Sequence, residues 1–314
     1  MATMKAVRIH SFGDPSVLVL EKLPVGQPGE GEILLKVEAA GVNPVDYKIR
    51  AGKYPAVKQD QLPIVLGRDV AGTVDSVGAG TDGVKPGDSI YAMLGQDRGG
   101  YTEYVIVKTA EAAHMPAKLN FVSAGAVPLA ALTAWQGLFD HGGLREGQRV
   151  LIHGGSGGVG HFAIQFAKAR GARVYTTVSA DSRGFVRELG ADEAIDYKTQ
   201  RFEDVARDID LVYDLVAGET QQRSWSVLKR GGTLVSTLTE PSQEQAAARG
   251  VRAMRYTAQP SGAQLKEIAR LIDAGKVRVI VDRTFPLSEA AEAQRYIESA
   301  HVRGKVVLTT AHAA

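Results

Sequence analysis

Residues 149–160 of this 314-residue chain read Arg-Val-Leu-Ile-His-Gly-Gly-Ser-Gly-Gly-Val-Gly, and they constrain the fold more than any other stretch. Val150, Leu151 and Ile152 form the short apolar run of a buried strand. Gly155-x-Gly157-x-x-Gly160 interrupts it, and Phe162, Ala163, Ile164, Phe166 and Ala167 follow at helical spacing. A strand, a glycine turn and a helix in that order present backbone N–H groups and a positive helix end to an anion. Glycine suits such a turn because a side chain would hold a pyrophosphate away from the backbone. A second apolar run at 173–178 follows the helix, as a dinucleotide-binding unit requires. The alternative is a glycine turn that only joins strand to helix.

The flanking sequence has two characters. The first 120 residues hold short strand candidates at 6–9, 17–20, 32–39, 70–77, 89–93 and 101–107, separated by Pro-Gly pairs at 28–29 and 86–87. One short helix is expected from Pro44 to Ala51, with proline in its first turn. Residues 123–140 are rich in Ala and Leu and read as one long helix. From 149 to 281 strands alternate with helices. Strand candidates are 150–152, 174–178, 211–215, 234–237 and 277–281; helix candidates are 161–170, 181–189, 219–228 and 264–274. Such alternation means an α/β fold with a doubly wound parallel sheet. The end of the chain offers a helix at 286–300 and a last strand at 305–309, and this tail is expected to rejoin the N-terminal domain.

Composition narrows the classes of function. The chain is 44% hydrophobic and 23% charged with a net charge of +2, and no basic run exceeds two residues. Nucleic-acid and membrane-surface binding therefore have no electrostatic footprint, and neither partner is expected. There is no cysteine, which removes disulfides and thiolate metal ligands. The seven histidines include no His-x-x-x-His pair, so no metal site is expected. No stretch approaches a membrane span of about 20 apolar residues, and the first residues lack a signal-like apolar run; a cytoplasmic location is the expectation.

Several phrases stand in a telling order: Ala40-Gly-Val-Asn-Pro-Val-Asp-Tyr-Lys48, Leu66-Gly-Arg-Asp-Val-Ala-Gly-Thr73, Lys85-Pro-Gly-Asp88, Gly100-Tyr-Thr-Glu-Tyr104, the glycine loop, Leu189-Gly-Ala-Asp192 and Gly304-Lys-Val-Val307. Over nearly its whole length the chain resembles the medium-chain dehydrogenase/reductase superfamily, in its zinc-free quinone oxidoreductase and enone reductase branch. The resemblance implies a β-rich GroES-like catalytic domain over 1–122, a Rossmann domain over 123–283 and a return segment over 284–314. It also implies a homodimer formed through the Rossmann domain. Zinc-dependent members carry a cysteine near the position of Asn43 and a histidine at that of Arg68; here both ligands are replaced. Zinc-assisted alcohol oxidation then lacks its ligand set. Arg68 is expected to pair with Asp69 or another nearby carboxylate, the alternative being a catalytic role.

Without a metal, the reaction left is hydride delivery to an acceptor that disperses charge onto its own oxygen: a quinone, or the C=C bond of an α,β-unsaturated carbonyl. The second Rossmann strand ends Thr-Thr-Val-Ser179, with no acid where NAD-binding domains usually carry one. Ser179 and Arg183 suit a 2′-phosphate instead, and the family adds Tyr197 at a matching position, so NADPH is the expected cofactor. Asp181 is either the missing acid or the N-cap of the next helix. Besides Gly155, Ser156, Gly157, Gly158 and Val159, the strand-end rule assigns Val216, Ala217, Thr237 and Leu238 to the cofactor. The resemblance adds Asn43, Lys48, Thr133 and Lys305 as cofactor contacts, and Asn43, Tyr47 and Lys48 as catalytic candidates. Lys48 has a plainer reading as a solvated lysine on a short helix, and Tyr47 as a packing residue. Asp46 is expected to hold an arginine or a backbone N–H, and His153 to be buried. A non-catalytic NADPH-binding or sensing protein, or an enoyl-thioester reductase, remain as alternatives.

Overall fold

The computed structural model describes residues 2–299 and 302–310. Eight strands come first: β1 (Thr3–Ile9), β2 (Leu18–Pro24), β3 (Glu32–Val42), β4 (Ile64–Val65), β5 (Asp69–Val77), β6 (Ser89–Met93), β7 (Tyr104–Lys108) and β8 (Ala112–His114). Between β3 and β4 lies α1 (Pro44–Arg50), with proline at its start. The Asp46 carboxylate reaches back to accept the Asn43 N–H at 2.8 Å and so holds the first turn.

The expected long helix at 123–140 is broken. Its parts are α2 (Phe121–Gly125), α3 (Pro128–Trp135) and a π-helical turn over Gln136–His141. Pro128 has no N–H to give a continuing helix and disfavours the helical conformation in the residue before it.

The chain then alternates: β9 (Arg149–His153), α4 (Gly160–Ala169), β10 (Arg173–Val178), α5 (Arg183–Glu188), β11 (Glu193–Asp196), α6 (Phe202–Val205), β12 (Ile209–Asp214), α7 (Gly218–Ser224), β13 (Leu228–Ser236), α8 (Gln243–Arg249) and β14 (Arg252–Arg255). After α9 (Gly262–Asp273) come β15 (Val281–Pro286), α10 (Ala290–Ser299) and β16 (Lys305–Thr309). Ala300, the expected end of the last helix, lies outside the described residues.

Two compact units form. The first holds the described residues up to Leu129, Pro260–Ala274, and the described residues from Val279 onward; the second holds Ala130–Gln259 and Gly275–Arg278. In the first unit, strands lie in the order β15-β16-β3-β5-β6-β8, with β7 also on β3, and β2-β1-β4 form a separate sheet. Ile33, Leu35, Val37, Val70, Ile90 and Leu308 fill the space between them. In the second unit all six strands are parallel in the order β11-β10-β9-β12-β13-β14. This is the doubly wound arrangement whose order reverses beside the first strand, β9.

The units do not break at the boundaries expected from the sequence. Residues 123–129 stay with the first unit, where the Leu129 N–H donates to Asp69 at 2.6 Å. So does α9: the Tyr91 hydroxyl donates to the Leu265 carbonyl at 2.6 Å, and a Cβ on Gly262 would meet the Ala110 carbonyl at 3.0 Å. The strand expected at 277–281 does not form over 277–280, and Val281 instead opens β15. The backbone at Arg278 is held by the Gln165 side chain, which accepts the N–H at 2.7 Å and donates to the carbonyl at 3.0 Å. The sixth strand is instead β14, whose Arg-Ala-Met-Arg sequence carries no apolar run. The helix expected over 219–228 stops at Ser224, and Leu228 already belongs to β13.

Candidate active site

The glycine loop leaves the carboxyl end of β9 and feeds α4. Its glycines do different work. A Cβ on Gly155 would collide with Thr176 Oγ1, and one on Gly160 with the Gly154 carbonyl, so both positions are fixed by packing. Gly157 is different: a Cβ there would meet only the Gly154 oxygen, at 3.5 Å. Nothing in the fold requires glycine at 157. The N–H groups of Ser156, Gly158 and Val159 find no acceptor among the described residues. Unclaimed donors, an open approach and a helix start are what a pyrophosphate needs, so the loop fits a dinucleotide.

The neighbouring strand ends complete this surface. Val216, Leu238 and Tyr197 are 49%, 39% and 52% exposed, and they follow β12, β13 and β11. Buried Asp214 organises the β12 end: Oδ1 accepts the N–H groups of Val216 and Ala217, while Oδ2 accepts from Gln221 and Ser236. Ala217 is thereby held at φ +67°, a conformation uncommon outside glycine. The Thr237 N–H donates back to the Asp214 carbonyl.

Strand β10 ends at Val178, and Ser179 follows at once. Asp181 lies within a 3₁₀ turn over Ala180–Ser182, and the cap positions belong to other residues: Ser179 precedes that turn and Ser182 precedes α5. The cap expectation for Asp181 is thus corrected. Three residues beyond the strand end, it is not at the position of the usual acid either. Arg183 donates Nε to the Ala194 carbonyl at 3.2 Å. The acid closest to the β11 end, Asp196, is taken up by its own turn, accepting from the Lys198 N–H and the Thr199 hydroxyl; these bonds hold its carboxyl below the usual range.

Two buried side chains flank the sheet. His153 shares hydrogen bonds with Thr177 at 3.1 Å and Ser224 at 2.9 Å, and burial pushes its pKa down to about 4. Thr133, on α3, is buried, and its carbonyl accepts from the hydroxyls of Tyr213 and Tyr256.

The first unit holds a buried polar cluster that the sequence did not disclose. Strands β16, β3 and β5 are neighbours, and their register brings Lys305, Asn43 and Asp69 together. Lys305 Nζ donates to the Val42 carbonyl at 3.1 Å, to Asn43 Oδ1 and to Asp69 Oδ2 at 3.4 Å. Asn43 Nδ2 donates to the same Asp69 oxygen at 2.9 Å. All three ammonium protons and the carboxamide are therefore engaged within the unit. Burial raises the Asp69 carboxyl above its usual value, and the Lys305 charge and hydrogen bonds from Asn43, Leu129 and Lys305 oppose the rise. Beside it, Asp46 accepts from Tyr101 at 2.8 Å, and burial pushes its pKa up to about 6. Asp46 holds the Asn43 N–H and no arginine.

Tyr47 and Lys48 are half-buried on α1. Burial, then the nearby Glu298 carboxylate, raises the Tyr47 hydroxyl above its usual value. Arg68 does not pair with Asp69, whose oxygens are taken; its Nε donates to the Leu94 carbonyl at 2.7 Å. Arg68 also borders a cavity of about 460 Å³ with Tyr54, Val57, Gln96, Tyr104 and Ile106. Neither the cluster nor this cavity follows from any local spacing. The local hints were the phrases that hold Asn43, Asp69 and Lys305, which marked the positions but not their partnership.

Known proteins share this design. Residues 29–117 match the family described as alcohol dehydrogenase GroES-like domain, and residues 189–308 the one described as zinc-binding dehydrogenase. The chain is 36% identical to the mitochondrial NAD(P)H oxidoreductase RTN4IP1 of Mus musculus, over 88% of this chain and 81% of that protein. It is 36% identical to the chloroplastic NADPH-dependent alkenal/one oxidoreductase of Arabidopsis thaliana, over 97% and 79%. The quinone oxidoreductase of Coxiella burnetii superposes with a TM-score of 0.92 at 37% identity, covering 98% of this chain and 99% of that one. With Asn43 and Arg68 at the ligand positions and no cysteine in the sequence, the zinc ligands of the wider superfamily are not carried over. The chain belongs to the medium-chain dehydrogenase/reductase superfamily, in its quinone oxidoreductase and enone reductase branch.

Proposed function

We propose that this protein is a zinc-independent, NADPH-dependent oxidoreductase that reduces a quinone or the C=C bond of an α,β-unsaturated carbonyl. The observation that carries the cofactor is Gly157: its glycine serves no internal contact, and it lies among N–H groups without acceptors. Gly155 and Gly160 hold the loop against the sheet while Ser156, Gly158 and Val159 offer donors to the diphosphate. Ser179, Arg183 and Tyr197 take the 2′-phosphate, where a carboxylate would repel it. Val216, Ala217, Thr237, Leu238 and Thr133 line the remainder.

When bound, NADPH supplies the hydride. The chain's part is to orient the acceptor and to stabilise charge on its oxygen. Lys48 and Tyr47 are assigned to that oxygen, as a cation and a hydroxyl able to pass a proton. Asn43 and Lys305 act as positioning residues, since their polar atoms already hold Asp69 and one another. The acceptor classes are those a metal-free hydride transfer allows, and the quinone and alkenal/one oxidoreductases related to this chain support them. The proposal extends to a homodimer in the cytoplasm, tested by light scattering on the purified protein and by cell fractionation.

The test follows NADPH absorbance with a panel of enones and quinones. Acceptor-dependent oxidation is expected, with NADPH preferred over NADH and the preference reduced in Arg183→Ala. NADPH binding without oxidation by any acceptor would leave the non-catalytic reading in place. An acceptor panel that responds only to enoyl thioesters would move the assignment to that class.

A further inference from the structure

Among the described residues two arginines are more than nine-tenths buried, Arg50 and Arg68, at 2% and 8% exposure. Their surroundings differ. Arg50 Nη2 contacts both oxygens of Glu298 at 2.9 Å. Arg68 has no carboxylate within 4.0 Å among the described residues, and its one hydrogen bond there is Nε to the Leu94 carbonyl. A guanidinium stays charged at any ordinary pH. Burying that charge without a counter-ion is costly, and such groups are normally paired.

The unbalanced arginine forms part of the wall of the 460 Å³ cavity, a volume in the range of small-molecule sites. Around it the wall is mainly apolar and aromatic: Leu34, Ile49, Tyr54, Val57, Val65 and Ile106. Other charged groups line it too, but they are engaged. Arg98 holds Asp97 through Nε and Nη2, at 3.1 and 2.9 Å, and the Ile106 carbonyl through Nη1. Glu32 accepts the Gly29 N–H at 3.0 Å. Arg68 is thus the cation in this wall without an anion.

We infer that this cavity binds a molecule with an apolar body and a carboxylate, the carboxylate pairing with the Nη atoms of Arg68, and that the hydride acceptor belongs to this class. A carboxylate matches both the charge and the two-pronged donor edge. The second clause rests on the function proposed above; the binding site does not. In turnover, hydride adds to the β-carbon of the acceptor's own C=C–C=O group and a proton to its α-carbon. The carboxylate on Arg68 is a separate group and does not react.

The experiment has two arms. In the first, calorimetry without nucleotide compares 4-phenylbutanoate with 4-phenylbutanamide. The acid is expected to bind wild-type protein at least about tenfold more tightly, and Arg68→Gln to erase the difference. Equal binding of acid and amide, or no binding of either, overturns the site, and this comparison needs no variant to fold. In the second arm, 4-oxo-4-phenylbut-2-enoate and its amide serve as acceptors. Arg68→Gln is expected to raise KM for the acid about tenfold with kcat little changed, leaving the amide unaffected. Equal effects on both acceptors overturn the acceptor clause. A protein that oxidises NADPH with neutral enones but shows no preference for acids keeps its proposed function and loses this inference.

Discussion

The glycine loop of the second unit and the polar cluster of the first are both candidate ligand surfaces, built by opposite means. The loop is six consecutive residues whose donors are backbone N–H groups and whose side chains are mostly absent. The cluster draws Asp69 from β5, Lys305 from β16 and Asn43 from the junction of β3 and α1, segments that the chain visits far apart, and it is centred on side chains. The loop leaves its donors open. The cluster closes on itself, each polar atom meeting another. One surface is ready to receive a ligand, and the other holds the framework that positions Asn43 and α1.

The sharpest test of this contrast is Lys305→Met. It leaves buried Asp69 without its cation and Asn43 Oδ1 without a donor. Loss of one partner from a buried pair typically costs about 3–5 kcal/mol. Urea unfolding is expected to show a loss on that scale, with a second change, Asp69→Asn, recovering part of it in a double-mutant cycle. NADPH affinity of the folded variant is expected to be unchanged. A large drop in affinity would return Lys305 to the cofactor's contacts, where family resemblance first placed it.

The units also differ in the titration of their buried groups. Burial raises Asp46 from 3.8 to about 6, so the native state holds its proton longer than the unfolded chain does. Its contribution to stability is complete below about pH 4 and is lost as pH rises through 6. Burial lowers His153 from 6.5 to about 4, so here the unfolded chain holds the proton longer. Its contribution is complete above pH 6.5 and is lost as pH falls towards 4. The two slopes oppose each other in one window, each with a span of roughly 3 kcal/mol. Unfolding measured from pH 4 to 7 is expected to expose them separately. Asp46→Asn becomes more stable relative to wild type as pH rises, and His153→Gln as pH falls. Equal slopes in both variants would show that neither burial controls the titration.

The sequence disclosed the parts of the molecule that depend on consecutive residues. The loop could be read because strand, turn and helix signals are adjacent, and Val216 and Leu238 lie exposed just past β12 and β13, where strand succession places them. Asp181 does not take the N-cap position because a 3₁₀ turn moves the helix start two residues on, a choice made by backbone geometry rather than residue type. No strand forms over 277–280, where a distant side chain, Gln165, takes both backbone groups of Arg278. Asp69 and Lys305 meet only through the register of β16, β3 and β5, which no spacing records. Arg68 was expected beside a carboxylate because neighbours in sequence are the partners a reader can see.

The smallest expected effects separate the two kinds of glycine within the loop itself. Gly155→Ala drives a methyl group into Thr176, in a part of the sheet that is fully packed. Overpacking of this kind costs about 1–3 kcal/mol, and the variant is expected to unfold earlier in urea. Gly157→Ala meets no atom nearer than 3.5 Å and is expected to match wild type in stability. Its methyl instead occupies the approach of the diphosphate, so NADPH affinity is expected to fall at least about tenfold, or 1.4 kcal/mol. Stability and binding thus part company between two glycines two residues apart. If Gly157→Ala were destabilised and bound NADPH normally, the loop would be a turn serving the fold, and the cofactor would have to be sought elsewhere in the chain.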